Sequence, residues 1–236
     1  QVNIWPRPYQ QPHPPVWITT GSAASTLPVA QHKHVGAIFL AGYSRVRPIF
    51  DAYRENYLKL HGEHAPLDRL AYCGLIYVGD DEKKAAEGAN KMMWYMQANK
   101  VADHWKNPPG YHPPVVSANV LRGAHVSGSG AAYSTDLTEH MRRGNVFAGT
   151  PDQVYEQIKA FWEYSGGFGH MLMMGQAGHM TEQETLRSMH LYNSEVYPRL
   201  KELAKTWDPE AIMDKRADLP DRDHAEITDL AVDFVR

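Results

Sequence analysis

Three hydroxyl side chains crowd one corner of this chain. Ser22, Ser25 and Thr26 follow the apolar run Val16-Trp17-Ile18-Thr19-Thr20 and a single glycine, Gly21. The run suits a packed, pleated strand, and Gly21 supplies the freedom a tight turn needs. A helix is expected to start just beyond. Hydroxyls at a helix start do one of two things. One of them, here Ser25, caps the helix by accepting from a first-turn amide. Alternatively, several hydroxyls join the unpaired amides and the partial positive charge of the helix end and seat an anion. Residue types alone leave both open. The remaining reactive residues read as structural. His32-Lys33-His34 does not set two imidazoles on one helical face, which argues against zinc. Cys73 lies within a strand-like run and reads as a small buried hydrophobe. His170 and His179 flank an apolar run, and a structural role is expected of both. Gly128-Ser129-Gly130 neither follows a clear strand nor opens a strong helix, so it is a weak dinucleotide signal.

The elements that must position the corner follow from periodicity. Residues 1–15 carry Pro6, Pro8, Pro12, Pro14 and Pro15 and should run extended over a surface. After the first strand a helix with Ser25 as N-cap would hold Pro28 in its first turn. Val35 to Leu40 is a short apolar run expected to be buried on both faces. Pro48 to His61 repeats apolar residues at helical spacing through Ile49, Phe50, Tyr53, Tyr57 and Leu60, with Gly62 ending it. Leu70 to Val78 gives a third strand stopped at Gly79, and Asp80 or Asp81 caps the next helix. Ala85, Ala86, Ala89, Met92, Met93 and Met96 form its core face. From Val101 to Gly149 no period is sustained, apart from a short helix expected within 135–143. Thr150-Pro151-Asp152-Gln153 is a capping box with Pro at the first helical position, ahead of the stripe Val154, Ile158, Phe161, Trp162. His170 to Met174 is the fourth expected strand. A second capping box at Thr181–Glu184 opens a last helix that carries Leu186, Met189, Val196, Leu200 and Leu203 and is expected to kink or split at Pro198. Apolar strands alternating with amphipathic helices imply a parallel sheet of βα units. Four units suit either half of an eight-unit barrel or a small open sheet.

Bulk properties narrow the classes. At 43% hydrophobic residues there is material for a core in one domain or slightly more. A net charge of −3 gives no field for nucleic acid or a membrane surface. The single cysteine excludes a disulfide framework and fits a reducing, cytoplasmic compartment. No apolar run approaches membrane-spanning length. The chain opens on Gln1 within the Pro-rich segment, so a longer parent polypeptide is expected.

Three stretches in order resemble the luciferase-like flavin-dependent monooxygenases. Arg7-Pro8-Tyr9-Gln10 with Pro12-His13-Pro14-Pro15-Val16-Trp17 and Gly21-Ser22 resembles that family's entry to strand five. Gly149-Thr150-Pro151-Asp152-Gln153-Val154 and Gly166-Gly167-Phe168 resemble its run into strand eight. Ser188-Met189-His190-Leu191-Tyr192 with Glu195-Val196-Tyr197-Pro198-Arg199-Leu200 resembles its closing helix. The resemblance implies an α/β fold, the C-terminal half (strands five to eight) of a TIM (β/α)8 barrel. It spans 1–205, with a long active-site loop over 100–149 and a polar tail over 206–236. It implies a monooxygenase in which reduced FMN reacts with oxygen to give the peroxide that oxidises a small organic substrate; a deazaflavin-dependent oxidoreductase or a non-catalytic half-barrel subunit is the alternative. A flavin reductase and a homo-oligomeric state are the implied partners. Residue by residue, the flavin phosphate seat carries over to Gly21, Ser22, Ser25 and Thr26. Several relatives have Glu where Gly21 stands, so its contact would be through backbone or absent. Arg122, Arg142 and Arg143 in the long loop are candidates to close over phosphate or substrate, against solvated surface roles. Strands one to four of the family have no counterpart, and with them goes any catalytic residue to assign.

Overall fold

The computed structural model describes residues 5–98 and 136–212, with side chains described over 5–94 and 136–212. The Met96 side chain, Arg122, Gly128-Ser129-Gly130 and the tail beyond 212 lie outside what is described. Five strands pair only in parallel among the described residues. They are β1 (Trp17–Thr19), β2 (Val35–Phe39), β3 (Leu70–Val78), β4 (Val146–Gly149) and β5 (His170–Met174). The helices are α1 (Thr26–Gln31), α2 (Tyr43–His61), α3 (Glu82–Ala98), α4 (Leu137–Arg142), α5 (Pro151–Ser165), α6 (Glu182–Leu191) and α7 (Tyr197–Lys205). No helix among the described residues is long and apolar enough to cross a membrane.

β3 is the axis of the sheet. Its lower half pairs with β2 (Gly36 opposite Leu70 through Phe39 opposite Cys73), and its upper half with β4 (Leu75 opposite Val146 through Val78 opposite Gly149). Leu40 N–H donates to the Cys73 carbonyl and Leu75 N–H to the Asn145 carbonyl. Residues two apart in a strand use the same edge, so β2 and β4 share one edge of β3 end to end. β5 takes the other edge, from Ala71 opposite His170 to Leu75 opposite Met174. β4 escaped the sequence analysis because four residues are too few to show a period. Two layers cover the sheet. On one face Ile38, Tyr72, Ile76 and Phe147 pack under α2 and α5 with Phe50, Tyr53, Ile158 and Phe161. On the other, Leu75, Tyr77, Val146 and Ala148 pack under α3 and α4 with Ala85, Ala89, Met92, Met93 and Met141. Met92 and Met93 of α3 are core, as expected.

Several local expectations change. α2 begins at Tyr43 rather than Pro48. The extra turn is held from outside the helix: Tyr43 N–H donates to the Arg143 carbonyl at 2.8 Å, and the Tyr43 ring packs on Phe161 and Tyr164. Pro48 therefore sits within the helix, at the cost of one intrahelical bond. Leu60, Leu186 and Met189 face solvent, and Ser188 and Leu191 are the buried positions of α6. Phe39 is exposed, so β2 is not covered on both faces. Of the two outcomes expected at Pro198, a kink or a split, the helix is split: a single wide turn over Tyr192–Val196 separates α6 from α7, with Tyr197 N–H reaching back to Tyr192. That turn removes the need for an amide at Pro198. Both capping boxes form as expected, at Thr150–Gln153 and Thr181–Glu184, and Asp81 rather than Asp80 caps α3, accepting from Lys84 N–H at 2.8 Å. Trp207 and Ile212, in the stretch read as tail, pack against the core.

Candidate functional site

The C-terminal ends of parallel strands are where loops can gather polar groups. At the end of β1 the chain leaves through Thr20 and Gly21. Ser22 then opens one tight turn, Ala23–Ser25, that runs into α1. Ser22 N–H donates to Ser25 Oγ at 3.3 Å, and Ser25 Oγ donates to the Ser22 carbonyl at 2.7 Å. Ser22 is thus the residue at the cap position of the turn. Ser25, at the start of α1, makes no side-chain cap to that helix. Ser22 is exposed and Ser25 half-buried, and the two are held by bonds that water or an anion could replace. A Cβ at Gly21 would meet nothing within 4 Å, so a ligand can approach that backbone closely. Thr26 differs. It is buried, its hydroxyl donates to the Ala23 carbonyl at 2.7 Å, and it accepts from Asn56 Nδ2 at 3.0 Å. In this conformation Thr26 joins α1 to α2 and stands apart from the Ser22 and Ser25 hydroxyls.

The structure adds one residue that sequence reasoning missed. Arg45, in the first turn of α2, donates from Nη2 to the Gly21 carbonyl. β1 and β2 are neighbours, so the helix leaving β2 starts beside the turn leaving β1. No sequence signal links positions 24 residues apart. The corner therefore combines a guanidinium, the hydroxyls of exposed Ser22 and half-buried Ser25, an unobstructed glycine and the first-turn amides of Ala23 and Ala24, which have no intrahelical partner. These groups fit a phosphate monoester. α1 is only six residues long, so side chains and local amides, rather than a long helix dipole, would supply the attraction.

Next to this corner the exit of β2 is locked. Leu40 and Gly42 both have positive φ, at 45° and 67°. Asn145, buried, donates from Nδ2 to the Leu40 carbonyl at 2.7 Å. Tyr72 Oη donates to the Gly144 carbonyl at 2.8 Å and accepts from Gly42 N–H at 3.1 Å. Burial pushes the Tyr72 hydroxyl far above its ordinary pKa, so it stays neutral and bridges both groups. This latch fixes where α2, and with it Arg45, begins.

The other singled-out residues disperse. Arg143 is half-buried and paired with Glu139, and Arg142 is exposed. His170 Nε2 lies 3.0 Å from the Asp68 carbonyl, and its ring is 4.7 Å from the Trp17 ring. His179 meets the edge of Trp94 at 5.7 Å. His34 has His32 and His13 within 5.5 and 6.3 Å, ring to ring; desolvation, His32 and His13 all lower its pKa. Cys73 is half-buried, and burial pushes its thiol up.

The luciferase-like monooxygenase family model matches residues 1–168 of this chain. The chain belongs to that family. Its parallel sheet also matches solved members of similar type. The RslO1 monooxygenase of Streptomyces bottropensis aligns at 19% identity and a TM-score of 0.58, over 83% of this chain and 51% of its own. The oxygenating constituent of 3,6-diketocamphane monooxygenase from Pseudomonas putida, a Baeyer-Villiger enzyme solved in complex with FMN, aligns at 18% and 0.54, over 78% and 47%. Apo-MsnO8 aligns at 17% and 0.51, over 78% and 51%. At these identities the likeness concerns the fold. No curated protein sequence matches. The chain spans about half the length of the solved relatives it matches.

Proposed function

We propose that this chain is the strand-five-to-strand-eight half of a (β/α)8 flavin-dependent oxidoreductase, a monooxygenase that uses reduced FMN and oxygen on a small organic substrate. One observation carries the reading: the corner after β1, where exposed Ser22 and half-buried Ser25 stand beside Arg45 and Gly21. FMN in the diketocamphane monooxygenase relative supports FMN as the first cofactor to test, with a deazaflavin as the alternative. The bound flavin would supply electrons and oxygen chemistry. The chain's own residues do the holding. The Ser22 and Ser25 hydroxyls, which here bond to each other and to the Ser22 carbonyl, would turn to donate to phosphate oxygens, and Arg45 contributes a fixed positive charge. Gly21 admits the phosphate to the backbone. Thr26 keeps the α1–α2 joint rigid beneath them.

A fluorescence titration tests this on the polypeptide that carries the chain, with FMN and with riboflavin, which lacks the phosphate. Ser22→Ala with Ser25→Ala, and separately Arg45→Gln, should each weaken FMN binding. Charge-assisted hydrogen bonds are worth ~1.5–3 kcal/mol each, so a loss of about tenfold or more is expected. Riboflavin binding should not change. Equal FMN affinity in wild type and variants removes the phosphate seat.

A further inference from the structure

Three imidazoles meet where β1 and β2 begin, at the end of the strands remote from the Ser22 corner. His13 lies in the segment that leads into β1. His32 and His34 follow α1 and lead into β2. Backbone conformation brings the last two together. Lys33 has φ 55°, its N–H donates to the Ala30 carbonyl at 3.0 Å, and the His34 N–H donates to the Val29 carbonyl at 3.0 Å. This is a left-handed helix ending. It reverses the chain between the two imidazoles, so they stack with ring centroids 5.5 Å apart and planes 26° apart. No helical face is involved, and the spacing in sequence gives no sign of it. His13 then sets its ring edge-on to His34 at 6.3 Å. Next to the trio the strand pair starts: Trp17 stands opposite Val35, and Val35 N–H donates to the Val16 carbonyl at 2.9 Å. The three rings therefore close β1 onto β2 at its entry.

The groups around the trio offer it no compensating charge. Lys33 has the sign that the imidazoles would gain, and it is bound to Glu63 at 2.9 Å, which occupies that carboxylate. From α2, Tyr53 Oη donates to the His34 carbonyl at 2.7 Å, and His61 Nε2 lies 2.9 Å from the Ala30 carbonyl. Tyr57 packs on His61 and beneath the Lys33 ammonium. His13 Nδ1 lies 2.7 Å from the Pro14 carbonyl. Among the described residues no group of three such side chains could hold a metal ion, so the closeness of the rings acts through charge. Neutral rings tolerate contact, whereas imidazolium rings at these separations repel one another.

We propose that His13, His32 and His34 form an acid-sensitive catch on β1: the neutral rings hold its entry against β2, and protonation drives the segment carrying His13 away. β1 is three residues long, so loosening its entry reaches the strand whose far end bears the Ser22 corner. The inference rests on the geometry of β1 and β2 and not on the flavin reading. Burial, then His32 and His13, hold the His34 ring below its ordinary 6.5. A base lowered by folding takes its proton more readily in the open form. The closed form therefore loses stability as pH falls below 6.5, the range in which imidazoles act as switches.

Hydrogen exchange read by mass spectrometry tests this on the polypeptide that carries the chain. It is run at about pH 7.5 and about pH 5.5, either side of the ordinary imidazole value, with each rate corrected for intrinsic exchange at that pH. Peptides covering 16–20 and 35–39 should lose protection by about threefold or more on acidification, as for a local opening. Peptides covering 70–78 and 170–174 should keep theirs. His13→Gln with His32→Gln, both at exposed positions, should abolish the loss and raise the His34 titration midpoint followed by NMR. His13→Gln alone should remove most of the loss. Salt at about 1 M should shrink it in the wild type, because it screens exposed charges. Equal protection at the two pH values, a loss of the same size in wild type and double variant, or a loss that salt leaves intact overturns the catch. FMN is absent from every arm, so the phosphate seat stands or fails separately.

Discussion

At the scale of single residues, backbone conformation decides more than side-chain identity. Gly42 has φ 67° and ψ −176°, a region essentially closed to other residues. A Cβ there would also overlap the Arg143 carbonyl oxygen. Gly42→Ala should cost ~1–3 kcal/mol for the conformation alone, and more once the overlap is relieved. Thermal melting should fall by several degrees. Because the latch also sets where α2 starts, FMN affinity should fall with it, whereas Gly21→Ala, at an open position outside the left-handed region, should leave stability nearly unchanged. Thr26 gives the complementary lesson. Its hydroxyl type suggested a ligand contact, and its burial under Asn56 assigns it to packing. Thr26→Val should lower stability by ~1–3 kcal/mol, since Asn56 loses a part-buried partner, and should leave the Ser22–Ser25 surface in place.

At the scale of elements, α3 and α6 are held to the sheet in different ways. α3 crosses Tyr77 at Gly88, where a Cβ would overlap the tyrosine ring. Gly88→Ala improves intrinsic helix propensity by ~1 kcal/mol yet should destabilise the protein, because α3 must lift off Tyr77. A rise in melting temperature would show that the approach is not this close. α6 meets α3 through Lys91–Glu184 and meets the β3–α3 turn through Arg187–Asp80. The Lys91 ammonium, then the Thr181 amide and hydroxyl, hold the Glu184 carboxyl down at about 2. A carboxyl depressed by folding stabilises above its ordinary value of 4.5 and loses that contribution as pH falls toward about 2. Glu184→Gln keeps the capping box but not the charge. It should lower stability at neutral pH by under ~1 kcal/mol, as for partly exposed pairs, and chemical denaturation of variant and wild type should converge across that acid window.

At the scale of the whole molecule, the two layers on β3 predict an asymmetry. Phe161 is fully buried among Tyr43, Tyr72, Phe147 and Phe168. Phe161→Ala should cost ~3–5 kcal/mol and bring the main transition down with it. Leu172, on the opposite face of the sheet, is 39% exposed, so Leu172→Ala in this chain should cost well under half as much. Equal losses by denaturant titration would mean that this face is already packed.

Much of this architecture was legible in the chain itself. Runs of apolar residues between capping boxes and glycines located four of the five strands and the helices after them, because burial and unpaired helix ends constrain residue type locally. The hydroxyls at Ser22 and Ser25 were visible for the same reason. What only the tertiary structure decided was set by contacts between residues far apart in sequence. β4 is four residues that become a strand by filling the edge of β3 beyond β2. α2 gains a turn from Arg143, and Arg45 reaches Gly21 because β1 and β2 are neighbours. Thr26 turns inward because Asn56 is there to meet it. Local composition reports what a residue tolerates; pairing across the sheet determines which neighbours it is given.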